Sequence, residues 1–219
     1  HVMPEVQALV GVKQGKYHDK DVWKHTLDVL EKVPPVLTKR LGALFHDVGK
    51  KATQQIVDDD VHFYTHEKVG AELTGSILKR LKYPTEMIKR ITTSVEHHMR
   101  LKRSGDHGEE ISDKALRKVQ RTIGDHLEDL LDIMDADNKS HSSNSTNTKQ
   151  IDGIRMRLKG LTDIPAPEKL PVTGKDLIKL GMKPGPEFKK MLNKVQDAVD
   201  DNPNLTKQQA LELVKGNIG

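Results

Sequence analysis

Ionisable side chains recur on the apolar stripes of this chain's helical segments, and that pattern narrows what it can fold into. Its centre is the His46-Asp47 doublet in Leu44-Phe45-His46-Asp47-Val48-Gly49-Lys50. His25 precedes the doublet by 21 residues, and His66, the His97-His98 pair and Asp137 follow it. His25 lies three residues after Val22 and four before Val29, and Asp47 lies three after Leu44. His66 is three before Val69, His98 is three after Val95, and Asp137 is three after Met134. At helical periodicity these spacings put each residue on the inward face of its helix. Imidazoles and carboxylates facing a core are costly to bury unless something binds them. A divalent metal cluster is the natural occupant, and helix bundles build such sites from inward side chains on facing helices. A lone core histidine is usually a satisfied packing residue, and a lone Asp near a helix end is usually a cap. Six or seven such residues on consecutive helices, one pair adjacent, favour a metal over that plainer explanation.

Composition sets outer limits. The chain has 219 residues, of which 31% are charged and 3% aromatic, which predicts a helical domain cored by Leu, Ile, Val and Met. No run approaches the 18 or more apolar residues of a membrane span, and residues His1 to Glu5 carry no basic-then-apolar leader. A first residue His1 suggests a tag remnant or an excised piece. The chain has no cysteine, which excludes disulfides, thiol catalysis and Cys-ligated zinc, and fits a cytoplasmic location. A formal net charge of +4 suits a phosphate-bearing partner but falls short of a dedicated nucleic-acid footprint.

Periodicity predicts helices over residues 4–15 in part, 20–33, 36–47, 65–82, from Pro84 through His98, and 112–138 with an interruption at Gly124. Residues 50–64 read as a loop around Asp58-Asp59-Asp60, with Val61 to Tyr64 as the one strand-like stretch. Residues 1–140 form one expected domain, 141–170 a polar loop, helix and Pro-rich connector, and 171–219 a small helical appendage. Thr173 is placed to cap a helix, and Pro184-Gly185-Pro186 reads as a helix break. His141, in a Ser/Asn-rich stretch, is expected to face solvent, and Tyr17, Trp23, Phe63 and Tyr64 are too few for a base-stacking platform.

The order His25, His46-Asp47, His66, His97-His98, Asp137 resembles the HD-domain metal-dependent phosphohydrolase superfamily over residues 18–138. Met3 to Val12, Tyr17 to Leu27, and Val172-Thr173-Gly174-Lys175-Asp176-Leu177 with Gly181 and Pro184-Gly185-Pro186 look like one branch of it, the bacterial tRNA nucleotidyltransferases. No Gly-Ser pair with a paired acidic motif precedes residue 1, so the resemblance does not extend to CCA addition by this chain alone. It implies an all-α fold, an HD-domain helical bundle with a small C-terminal helical appendage.

By that resemblance His25, His46, Asp47 and Asp137 bind one ion, while His66 and either His97 or His98 hold a second that Asp47 bridges. Asp137 is preferred over Asp135 because Ala136-Asp137 matches the family's Ala-Asp and has the better helical phase. One or two divalent ions are expected, with Mg, Mn, Fe, Co, Ni and Zn all compatible with His/Asp ligation. Such ions make hydroxide available near neutral pH and clamp phosphoryl oxygens. Asp47 and Lys50 are the expected catalytic residues, Lys50 as a cation beside the scissile phosphate; Arg100, Lys102 and Arg103 are weaker candidates for binding substrate phosphates. The implied activity is hydrolysis of a nucleotide or RNA-end phosphoester, of 2′,3′-cyclic phosphodiesterase, 2′-nucleotidase or phosphatase type, with tRNA as a possible partner. A free-nucleotide 5′-nucleotidase and a non-catalytic tRNA-binding module are the rival readings.

Overall fold

The computed structural model describes residues 2–15, 20–101, 111–141, 149–162 and 169–217. It is mostly helical, with one small sheet. The elements run α1 (Pro4–Gln7), α2 (Val22–Lys32), α3 (Leu37–Phe45), α4 (Lys50–Thr53), β1 (Gln54–Val57), β2 (Asp60–Phe63), α5 (His66–Arg80), α6 (Thr85–His97) and α7 (Asp113–Ile123). A short 3₁₀ turn at Gly124–His126 leads into α8 (Leu127–Asn138), followed by α9 (Gln150–Thr162), α10 (Gly174–Lys179), α11 (Pro186–Asp201) and α12 (Lys207–Lys215). Among the described residues, no helix is long and apolar enough to cross a membrane.

The chain divides into two compact units, residues 1–110 with 123–153, and residues 111–122 with 154–219. The units do not follow chain order. In the first, α5 packs on α6, and α3 packs on both α6 and α8. Phe45, Val48, Ile77, Leu78, Ile91 and Val95 fill its main core, and Val29, Ala43, Ile133 and Ala136 form a second cluster. Fully burying one such aliphatic side chain is worth about 1.5–3 kcal/mol. Asp21 caps α2 by accepting from the Lys24 amide at 2.7 Å, and Pro34 follows the last turn, where a helix cannot continue. Arg90 of α6 donates to both oxygens of Asp129 on α8, at 2.5 and 2.8 Å. Burial works against ionisation of Asp129, but the Arg90 bonds, with the Thr38 hydroxyl and the charges of Arg90 and Lys39, more than offset it and lower its pKa.

The stretch expected to be a loop holds a β-hairpin. β1 and β2 pair antiparallel from Gln54↔Phe63 to Val57↔Asp60, leaving Asp58 and Asp59 as the two-residue turn. Both have positive φ, at 49° and 59°. That matches a type I′ turn, whose twist suits a hairpin and whose left-handed conformation Asp tolerates.

The second unit has its own core of Val172, Leu177, Met191, Val195, Ala210 and Val214. As the sequence suggests, Thr173 opens α10: its amide donates to Asp176 Oδ2 at 2.9 Å. Thr206 opens α12 in the same manner with Gln209, at 2.9 Å. Lys114 and Arg121 of α7 pair with Asp201 and Asp200 of α11.

Candidate metal centre

Five segments of the first unit bring histidine and aspartate to one buried place. On α2, His25 shares the inward stripe with Val22 and Val29 and is 2% exposed. On the turn that leaves α3, His46 and Asp47 are as deeply buried. His66 is the first residue of α5, positioned by β2: its Nδ1 donates to the Phe63 carbonyl at 2.8 Å. His98 follows the last turn of α6, and its Nδ1 donates to the Val95 carbonyl at 2.7 Å. His46 Nδ1 donates likewise to the Ala43 carbonyl at 2.7 Å. In a neutral imidazole, a proton committed to Nδ1 leaves the lone pair on Nε2. Three histidines therefore present Nε2 as a ligand atom, each oriented by a backbone carbonyl.

Asp47 lies between them. Its Oδ1 is 3.5 Å from His66 Nε2 and 3.8 Å from His98 Nε2, while its Oδ2 is 3.1 Å from His46 Nε2 and 4.0 Å from His25 Nε2. The two oxygens thus face different histidines. His66 Nε2 and His98 Nε2 are 3.3 Å apart. With both Nδ1 protons on carbonyls, two neutral rings would oppose lone pairs at that distance, which a cation between them resolves. His46 Nε2 has no hydrogen-bond partner of acceptable geometry among the described residues. Buried polar atoms are rarely left so. The donor set fits a divalent metal of intermediate hardness.

The electrostatics favour the ligating form at two of the histidines; at His46 burial works the same way, but the charge of Asp47 outweighs it and raises its pKa. Burial pushes the pKa of His25 and of His66 below its ordinary value, which favours the neutral, ligating form. Burial also opposes ionisation of Asp47, but the charges of His46 and then Lys50 outweigh it and hold the carboxyl well below its usual range. Lys50 is itself buried. Its Nζ is 2.8 Å from Asp47 Oδ2, and it donates to Gln14 Oε1 at 2.6 Å.

Donor atoms lying within 4.8 Å of one another form three groups among the described residues: His25, His46 and Asp47; Asp47, His66 and His98; and His25, Asp137 and His141. His98, not His97, belongs to the cluster. His97 lines an open cavity of about 490 Å³ together with Tyr64, Met99 and Arg100, and His66 forms part of its wall. Asp137 faces the cluster, with His25 Nε2 3.0 Å from its Oδ1. Asp135 instead accepts from Lys139 at 2.6 Å. Lys102 and Arg103 lie outside the described residues. His141 does not face solvent as expected: its side chain is 18% exposed and its Nε2 is 3.2 Å from Asp137 Oδ1. Gln14 lies in no periodic segment, so no pattern in the sequence singles it out; the signal for His141 is its four-residue spacing after Asp137, masked by the polar stretch it opens.

The fold and site define a helical protein with a buried, metal-competent His/Asp cluster. The family model described as tRNA nucleotidyltransferase domain 2 matches residues 61–214. The CC-adding tRNA nucleotidyltransferase of Thermus thermophilus is 31% identical over 218 residues, covering 95% of this chain and 48% of that protein. The A-adding tRNA nucleotidyltransferase of Deinococcus radiodurans is 32% identical over 211 residues, covering 90% of this chain and 46% of its own length. The multifunctional CCA protein of Pseudomonas fluorescens is 39% identical over 90 residues, 39% of this chain and 22% of that protein. The chain belongs to the tRNA nucleotidyltransferase family. It spans about half the length of the first two relatives.

Proposed function

We propose that this chain is a metal-dependent phosphohydrolase module of HD-domain type, acting on a nucleotide or RNA-end phosphoester, within a tRNA nucleotidyltransferase-like protein. The observation that supports it most directly is the 3.3 Å approach of His66 Nε2 to His98 Nε2 beside the Asp47 carboxylate. In this reading His25, His46, Asp47 and Asp137 hold one divalent ion, and Asp47, His66 and His98 hold a second. A bound ion supplies Lewis acidity toward phosphoryl oxygens and a more acidic water. Asp47 orients both positions through its two oxygens, and the backbone carbonyls of Ala43, Phe63 and Val95 fix the imidazoles. Lys50 brings a buried positive charge beside them, suited to the charge that develops on a phosphoryl group. Arg100 lines the cavity that His66 borders, and in this reading its guanidinium meets a substrate phosphate. The location consistent with this reading is the cytoplasm.

A second reading has its own support. The relatives carry names for nucleotide addition to tRNA, and none of the three described above is named as a hydrolase except in so far as one is called multifunctional. They favour a tRNA-holding module whose metal cluster does not turn over substrate. One experiment separates the two. Metal content is measured by plasma mass spectrometry, and turnover is assayed on 2′,3′-cyclic, 2′- and 5′-nucleotides with tRNA binding in parallel. The phosphohydrolase reading expects bound metal and ester hydrolysis, both lost in Asp47→Ala. Bound metal and tRNA without hydrolysis selects the holding module. Wild-type metal content and turnover in Asp47→Ala sinks the assignment of the site.

A further inference from the structure

We propose that His141 is a ligand of the metal position formed by His25 and Asp137, binding through Nε2. The proposal rests on the metal reading above and extends its ligand set. The local structure explains how a residue of a polar stretch reaches the centre. Beyond Asn138 the chain keeps a helical course: the Lys139 amide donates to the Asp135 carbonyl at 3.0 Å and the Ser140 amide to the Asp137 carbonyl at 2.9 Å. Ser140 Oγ donates to the Ala136 carbonyl at 2.7 Å. His141 therefore stands one turn above Asp137, four residues on, where side chains of a helix meet. Its ring centroid is 5.5 Å from that of His25.

The donor geometry suits one ion. Donors bound at about 2.0–2.2 Å lie about 3–4.4 Å from one another, the spread running from neighbouring to opposed ligands. His25 Nε2 and His141 Nε2 are 3.0 and 3.2 Å from Asp137 Oδ1, and all three atoms lie within 4.8 Å of each other. Among the described residues, the group of three mutually close donors that includes Asp137 is the one with His25 and His141, while the His46-Asp47 doublet groups with His25. His141 thereby adds a further donor to the position that the reading above assigns to His25, His46, Asp47 and Asp137.

The competing role is a hydrogen bond: His141 donating to Asp137 and orienting it without touching metal. Loss of such an orienting partner also weakens metal binding, by about 10–100-fold, so affinity alone does not decide. The test uses the full chain, Co²⁺ as the probe, and the variants His141→Ala and His141→Gln. Glutamine keeps an N–H donor for Asp137 but offers no imidazole. If His141 ligates, both variants lose Co²⁺ affinity by about tenfold or more. X-ray absorption of the cobalt-loaded protein then counts fewer imidazoles per ion in both, while metal-free melting temperatures stay close to wild type. Wild-type affinity with an unchanged cobalt spectrum in His141→Gln overturns the proposal and leaves His141 an orienting hydrogen-bond partner. Unchanged binding in both variants overturns it as well. A wild-type chain that takes up no Co²⁺ overturns this proposal and the metal reading together, whereas uptake that depends on Asp47 but not on His141 overturns this one alone.

Discussion

At the scale of the residue, Lys50 and Asp47 set the balance of the centre. Asp47 is 2% exposed and Lys50 8%, with Nζ 2.8 Å from Oδ2. Removing one partner of a buried pair leaves the other charge uncompensated, at a cost of about 3–5 kcal/mol. Lys50→Met is therefore expected to lower the stability of metal-free protein by that order. A bound divalent ion compensates Asp47 in place of the ammonium, so the loss shrinks when metal is present. Metal affinity is not expected to fall, because Lys50 is a cation beside the ion and not a ligand. Turnover is expected to fall by about 10²–10³, the range for losing a group aimed at transition-state charge. Thermal denaturation with chelator and with excess Mn²⁺, a Mn²⁺ titration and steady-state kinetics check these four outcomes; unchanged kinetics in Lys50→Met reduces the residue to a structural counter-ion. Periodicity in the sequence points at His25, Asp47, His66, His98 and Asp137 because each shares a stripe with buried aliphatics. The family resemblance leaves His97 and His98 open as alternatives, and their neighbours in space decide for His98. Gln14 is beyond the reach of periodicity, since a loop residue's partners are fixed by tertiary structure and not by its own spacing; His141 follows Asp137 by four residues, but the Ser/Asn-rich stretch after it hides that the helical course runs that far.

At the scale of the element, the contact between the doublet's turn and α5 rests on two glycines. A Cβ on Gly49 would stand 2.2 Å from the His66 carbonyl oxygen and 2.7 Å from the Gly70 nitrogen. Gly49 has φ −74°, so close approach and not backbone freedom requires glycine here. Both obstacles are backbone atoms, which cannot rotate aside. Gly49→Ala is expected to push α5 away, costing about 1–3 kcal/mol by overpacking and displacing His66 from Asp47. Chemical denaturation measures the first effect. Metal stoichiometry measures the second, with the His66–His98 position lost before the others. A variant with wild-type stability and metal content means that α5 shifts freely, and the close-contact argument fails. In the sequence the same glycine reads as an ordinary helix stop after the doublet. The helices themselves are legible because their apolar residues repeat at 3.6 and Thr173 and Pro34 mark ends. The hairpin is not: Gln54-Gln55 carries no alternation, and its turn uses Asp58-Asp59 in place of an Asn-Gly signal.

At the scale of the whole molecule, the two compact units have separate cores, and the His/Asp cluster lies wholly in the first. A ligand that binds only the folded form stabilises what it binds by RT ln(1 + [L]/Kd), about 2.7 kcal/mol at a hundredfold excess over Kd. That energy slows exchange of amides that open only when the unit unfolds by about 100-fold. The cluster ties α2, α3, α5, α6 and α8 together through His25, the doublet, His66, His98 and Asp137. Hydrogen exchange resolved by segment, with and without Mn²⁺, is therefore expected to show slowing of that size in these five helices. Helices α10, α11 and α12, cored by Val172, Leu177, Val195 and Val214, are expected to exchange at the same rate in both conditions. Equal slowing in α10 to α12 means the units unfold as one, and the metal's effect then cannot be assigned to the first. Slowing confined to α3, α5 and α6 has a different meaning. Only the Asp47, His66 and His98 position would then be filled, and the centre would hold one ion, anchored by the doublet's turn, the hairpin-to-α5 junction and the end of α6.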